Sequence, residues 1–261
     1  MDLILQALGF IVVSSAVAVF GAYHVRRRVP LEVQMEQNDV AGFFLAVLGL
    51  VYGVLLAFAV IAVWEDLDQA RSTAELEADA VGDVYRLAEG LPDDTRKVIQ
   101  EQATSYASLV ISDEWPLLMK GGPGRESEAA LKQMEAIWAT VRSVEPQGAR
   151  EEAILDKLLD KVQEMNDERR ARLVAAQEGI PLMVWLVLIG GGVVTVLFTY
   201  FFGLKNTRAL LAMTGLYVAS IGFVLFLIAA MDYPFRGAVS VRPEAMVMVL
   251  DRIEVLEAAR R

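Results

Sequence analysis

The sequence predicts an all-α polytopic membrane protein: four transmembrane helices in two hairpins that flank an aqueous helical bundle. Three observations predict it. Four runs of the 261-residue chain lack Asp, Glu, Lys, Arg and His, namely Leu3 to Tyr23, Val40 to Trp64, Ile180 to Leu204 and Ala209 to Met231. Each exceeds the roughly 20 residues a helix needs to cross a bilayer core. Charge is segregated: residues 65–179 hold 25 of the 34 acids and 14 of the 24 bases, a net −11, whereas the rest of the chain sums to +1. Between the runs the apolar residues keep a helical period, and no strand-like alternation interrupts it. The domains expected are 1–64, 65–179, 180–231 and a tail, 232–261.

The first run is followed, not preceded, by positive charge (Arg26, Arg27, Arg28), which reads as a retained helix rather than a secretory signal. Asn38-Asp39 can cap the second run. The short connection between the two runs, containing Pro30, makes an antiparallel hairpin. Lys205-Asn206-Thr207-Arg208 joins the third and fourth runs into another.

Ala70, Ala74, Ala78, Val81, Tyr85 and Ala88 continue the period directly from the second run, so one helix is expected from about Val40 to Ala88, roughly 70 Å long at 1.5 Å per residue. Gly90-Leu91-Pro92 ends it. A second helix carries Val98, Ala103, Tyr106, Leu109 and Val110 up to Trp115-Pro116, and Gly121-Gly122-Pro123-Gly124 reads as a loop. A third helix carries Leu131, Met134, Ile137, Trp138 and Val141; a fourth carries Ile154, Leu158, Val162, Met165 and Leu173 and enters the membrane near Pro181. The expected domain is a four-helix bundle whose outer two members run unbroken into the membrane. Pro243 starts a short amphipathic helix that should pack on the bundle or on a neighbouring subunit.

No basic stripe suits nucleic acid, and the absence of Cys excludes thiolate chemistry and Cys-based metal sites. His24 has no second ligand at metal spacing, and no phosphate loop, catalytic triad or nucleophile elbow is present. No enzyme activity, cofactor or metal is expected. The runs also lack the intramembrane titratable group that proton relays and ion-coupled transporters use.

Gly42, Ala46, Gly49, Gly53 and Ala57 place five small residues on one stripe of the second helix. Small residues let helix backbones approach closely in lipid. The same stripe can instead face the axis of an oligomer and leave room for a pore, with Phe43, Phe44, Tyr52 and Phe58 as constrictions. Glu65 and Asp66 stand at the mouth of such a pore, or in a solvated stretch just outside the lipid. Gly190-Gly191-Gly192 permits a bend or a close contact, and Thr195 and Thr199 can bond back to their own helix.

Phe44 through Trp64-Glu65, then Glu77-Ala78, Tyr85-Arg86, Leu91-Pro92, Tyr106, Val110-Ile111, Glu114-Trp115-Pro116, Gly121, and finally Asp232-Tyr233-Pro234-Phe235-Arg236-Gly237 with Val241 and Pro243, resemble the bacterial DUF4239 family, also called the bestrophin-like domain. The resemblance covers nearly the whole chain. It implies a bacterial plasma-membrane protein similar to bestrophins, which are pentameric anion channels with two membrane hairpins flanking a helical aqueous region. It therefore implies a homo-oligomer in the lipid bilayer that passes ions, with the second helix as pore liner. The acidic calcium-binding cluster of bestrophins has no counterpart in this sequence.

Arg26, Arg27, Arg28, Lys205 and Arg208 occupy the two short loops, so the positive-inside rule puts those loops in the cytoplasm and the acidic domain outside. Lys161, Arg169, Arg170 and Arg172 near the third run argue the other way. The alternative to a channel is a non-conducting sensor or scaffold, in which the aqueous domain binds a partner or ligand and its continuous helices transmit tilt to the membrane hairpins.

Overall fold

The computed structural model describes residues 2–121 and 126–259. The Gly122-Pro123-Gly124 part of the expected loop lies outside the described residues. The elements are helical throughout: α1 (Asp2–Arg28), α2 (Leu31–Glu36), α3 (Asn38–Leu87), α4 (Asp93–Leu109), a π-helical turn (Val110–Glu114), α5 (Trp115–Lys120), α6 (Glu128–Arg142), α7 (Ala149–Ala175), α8 (Leu182–Thr199), α9 (Thr207–Met231) and α10 (Glu244–Ala258). No strand occurs among the described residues. The chain divides into two compact units, 1–65 with 180–232 and 66–179 with 233–261.

The first unit contains four segments long and apolar enough to cross a membrane. Its closest pairing joins α1 to α9. Ile11, Ala18 and Ala22 of α1 are buried, as are Leu210, Thr214, Val218 and Gly222 of α9, whose four-residue spacing makes one narrow stripe. Ser15 Oγ donates to the Gly215 carbonyl across this seam at 3.3 Å. Small residues dominate because close approach is the main gain available between helices in lipid. Asn206 caps α9, its side chain accepting from the Arg208 and Ala209 amides. Asn38, expected to cap the second run, spends its amide across the loops: it donates to the Gly203 carbonyl and accepts from the Gly203 amide, both at 2.9 Å.

The sequence expectation fails at the entry to the third span. α7 and α8 are separate helices, so only α3 continues from an apolar run into the charged domain. Pro181 has no amide proton and disfavours helical backbone at the residue before it. The interruption is stabilised by Asp232, which accepts from the Ile180 amide at 2.6 Å and from Trp185 Nε1 at 3.2 Å.

The second unit is the bundle. All six residues of the stripe from Ala70 to Ala88 are buried, five on α3 and Ala88 in the 3₁₀ turn (Ala88–Gly90) that follows it. On α4 the buried face is Ile99, Ala103, Tyr106 and Ala107; Val98, expected inside, is exposed, as is Leu131 on α6. Ser127 caps α6 by accepting from the Ala130 amide. The tail belongs to this unit: α10 buries Met246, Val249 and Ile253 and packs on α4 and the π-helical turn.

Candidate functional site

Two constellations carry polar or steric features beyond ordinary packing. The first lies on the membrane part of α3. Its packed face is Tyr52, Leu56, Ala59 and Val63. Tyr52 donates to the Leu188 carbonyl of α8 at 2.8 Å. Its ring occupies space that side chains at Gly191 and Gly192 would fill, since a Cβ at either position would lie 2.8 Å from a Tyr52 atom. Gly191 and Gly192 are thus close-contact sites, while a Cβ on Gly190 would meet nothing within 4 Å, and Thr195 and Thr199 do bond back to their own helix. Tyr52, a sequence candidate for a pore constriction, is buried against α8 in the protomer.

The small-residue stripe lies beside that face and is only partly covered in the protomer: a Cβ on Gly42 would lie 3.9 Å from Phe202 and one on Gly49 3.7 Å from the Tyr217 hydroxyl. Ala46, Gly53 and Ala57 are exposed, Gly42 and Gly49 partly so. Nothing lies within 4 Å of a Cβ placed on Gly53. Phe43, Phe44 and Phe58 are each more than half exposed, with Phe44 also 6.4 Å, centroid to centroid, from Phe198. Trp64, Glu65 and Asp66 are exposed along α3.

The second constellation is a buried ionic network in the bundle. Glu77 projects from the buried stripe of α3 and Glu114 from the last residue of the π-helical turn, while α7 supplies Arg169 and Arg172. Arg172 Nε and Nη2 meet Glu77 Oε2 and Oε1 at 2.5 and 3.0 Å, and Nη2 also reaches Glu114 Oε2 at 2.6 Å. Arg169 grips Glu114 at 2.6 and 3.3 Å and extends Nη1 to Glu126 at 3.0 Å. Tyr106 donates to Glu77 Oε1 at 2.6 Å, and the Ser127 amide donates to Glu114 Oε1 at 3.1 Å. Two buried acids thus balance two buried bases, as burial demands.

Burial works against the Glu114 carboxylate, but Arg172 and Arg169 outweigh it and hold its pKa below the usual range. Burial, reinforced by Glu77, pushes the Tyr106 phenol well above its usual value, so it remains a donor. Desolvation opposes the Arg172 charge, and the Glu77 and Glu114 carboxylates more than restore it.

The motif residues meet around this network. The Arg172 guanidinium lies over the Trp115 ring at 5.0 Å, Trp115 packs edge-on against Phe235 at 5.6 Å, and Trp115 Nε1 donates to the Val241 carbonyl. Arg236 stacks on Tyr233 and lies against Gly121, whose φ of 73° and lack of Cβ admit the guanidinium. Pro234 is buried and accepts from the Val241 amide; Gly237, at φ 79°, turns the chain, and Pro116 sits exposed in the first turn of α5. Tyr85 is buried, with its hydroxyl on Glu257, and Arg86 pairs with Asp83.

From sequence, Glu77, Tyr106, Glu114 and Trp115 stand out without being joined, and Arg169 and Arg172 count only as positive charge near the third apolar run. A signal was present. Leu158, Val162, Met165, Arg169, Arg172 and Ala176 repeat at four, three, four, three and four, so both arginines occupy core positions of α7.

Comparison with known proteins decides the family, for the profile described as the Bestrophin-like domain matches residues 12–246. The chain belongs to the bestrophin-like family. Solved structures agree on the bestrophin-like fold. A substituted bacterial Bestrophin homolog from Klebsiella pneumoniae superposes with a TM-score of 0.61 at 16% identity over 97% of both chains. A bacterial Bestrophin homolog from the same organism, phased by Zn-SAD, gives 0.61 at 16% identity over 95% of this chain and 96% of that one. No curated protein matches the chain significantly.

Proposed function

We propose that the protein assembles into a homo-oligomeric ion channel in the bacterial plasma membrane, with the membrane part of α3 lining the pore. The observation that carries this reading is the small-residue stripe of α3, of which the protomer leaves Ala46, Gly53 and Ala57 exposed and Gly42 and Gly49 half-exposed while it packs Tyr52, Leu56, Ala59 and Val63 beside it. A helix that packs one face and keeps a smooth second face open fits a ring in which the second face meets its copies or the axis. Phe43 and Phe58, exposed elsewhere on the same helix, are candidate apolar constrictions of the kind that gate by dewetting. Family membership supports the same class of function. Anions are the permeant class the resemblance implies, and Glu65 and Asp66 stand where a mouth would be. The positive charge of the two short loops supports a cytoplasmic position for them and an outer one for the acidic bundle.

Purified protein reconstituted into liposomes tests the reading. Chloride flux above that of empty vesicles is expected, with Gly53→Trp abolishing it while the protein still inserts. Absence of flux across a range of salts and pH values would overturn the channel and leave the sensor or scaffold reading standing.

A further inference from the structure

The two short loops of the membrane unit form a basic pocket of about 570 Å³ lined by Tyr23, Arg26, Arg27, Arg28, Pro30 and Thr207, among others. We propose that it binds a phosphate oxyanion, supplied by the headgroup of an anionic phospholipid.

Its lining contains three guanidinium groups and no carboxylate. Arg26 is fixed in place, donating to Gln34 Oε1 at 3.2 Å and to the Leu204 carbonyl at 3.4 Å, and Gln34 is itself buried and bonded to the Tyr200 carbonyl. The Arg27 guanidinium lies 4.7 Å from the centroid of the Tyr23 ring, which leaves its N–H edge open. Thr207 is the first residue of α9, so the positive end of a 25-residue helix borders the same space.

In the bundle unit Arg71, Arg86, Arg96, Lys132, Lys157, Lys161, Arg169, Arg170 and Arg172 have carboxylate partners, while Lys97, Lys120, Arg142, Arg150, Arg236, Arg242 and Arg252 are dispersed cations without one among the described residues. Among the described residues, Arg26, Arg27, Arg28, Lys205 and Arg208 form no ion pair. Five unneutralised cations lie at the ends of apolar membrane helices, and Tyr23 marks the level at which aromatic side chains meet headgroups. A bilayer supplies the missing counter-charge at that depth, and a guanidinium pairs with phosphate through two parallel hydrogen bonds. The inference rests on the membrane-spanning reading and does not require conduction.

The test uses full-length protein, delipidated in detergent, and follows its melting on addition of phosphatidylglycerol, phosphatidylcholine or inorganic phosphate. Phosphatidylglycerol is expected to raise Tm by roughly 4 °C or more at saturation, and phosphatidylcholine by much less. Arg27→Gln/Arg28→Gln, compared with its own lipid-free baseline, should lose the rise, and Arg27→Lys/Arg28→Lys should keep most of it. A response to inorganic phosphate at matched concentration would support the pocket but assign it to a soluble oxyanion. Equal responses to both lipids, or an undiminished response in the Gln double variant, would overturn the proposal. Because the readout is thermal, its failure is distinguishable from a failure of liposome flux.

Discussion

Arg172 makes the most demanding residue-level statement: a guanidinium with no exposure, shared between Glu77 and Glu114 and roofed by Trp115. Removing one member of such a group strands the others in a medium that solvates them poorly. Arg172→Ala is therefore expected to cost about 3–5 kcal/mol, read from denaturant unfolding; replacing Glu77, Glu114, Arg169 and Arg172 together by apolar residues of similar volume should recover much of it. A single variant that unfolds like the parent would contradict this account. Glu114 adds a pH dependence of definite sign. Its pKa in the folded chain is lowered, so as pH falls below the ordinary carboxyl value of 4.5 the unfolded chain takes up a proton first. The stabilisation is complete above that value and disappears as pH falls through the depressed one. Melting of the parent should therefore steepen its decline below about pH 4.5, and Glu114→Gln should flatten part of that decline; identical slopes would exclude the mechanism. These arginines were hard to read from sequence because a charged residue on an amphipathic helix is usually solvated, and only the partner acids on α3 and the π-helical turn, far away along the chain, make a core position habitable for them.

At the scale of elements, α3 was legible because two independent patterns meet in it without a break: an uncharged run and an alanine-rich stripe of helical period. The expected helix from Val40 to Ala88 is the observed Asn38–Leu87. The break between α7 and α8 was not legible, because the group that satisfies the freed Ile180 amide is Asp232, at the far end of the second hairpin. No local pattern announces a cap supplied from so far along the chain. The glycines of α8 lie between these cases, since a triplet announces close approach but not its partner. With Tyr52 identified, the pair becomes testable. Gly191→Ala should cost about 1–3 kcal/mol by forcing the ring aside, whereas Gly191→Ala in a Tyr52→Leu background should cost clearly less. Additive effects in the double variant would show that the glycine serves something other than the Tyr52 ring.

Across the whole molecule, charge is the property that separates the two units, and it bears on which side of the membrane each faces. The five cations of the short loops lie beside the apolar runs, where positive charge biases insertion most strongly, while the −11 of residues 65–179 is dominated by acids that contribute little to that bias. Lys161, Arg169, Arg170 and Arg172 oppose this when counted from sequence, but the structure pairs all four with carboxylates, Arg170 with Asp167 on the exposed side of α7. Lys161 pairs with Asp83 and Glu164, and Arg169 and Arg172 are consumed by the buried network once the bundle has folded. The insertion machinery acts on the chain before that folding, so their effect is reduced only to the extent that the bundle forms early. The chain contains no Cys, so single cysteines report topology without background. Lys205→Cys in the exposed second loop and Glu101→Cys on the exposed side of α4 make a matched pair. A membrane-impermeant maleimide applied to intact spheroplasts is expected to label Glu101→Cys and to reach Lys205→Cys only after lysis. The reverse pattern would place the acidic bundle in the cytoplasm and show that the cations flanking the third run govern insertion.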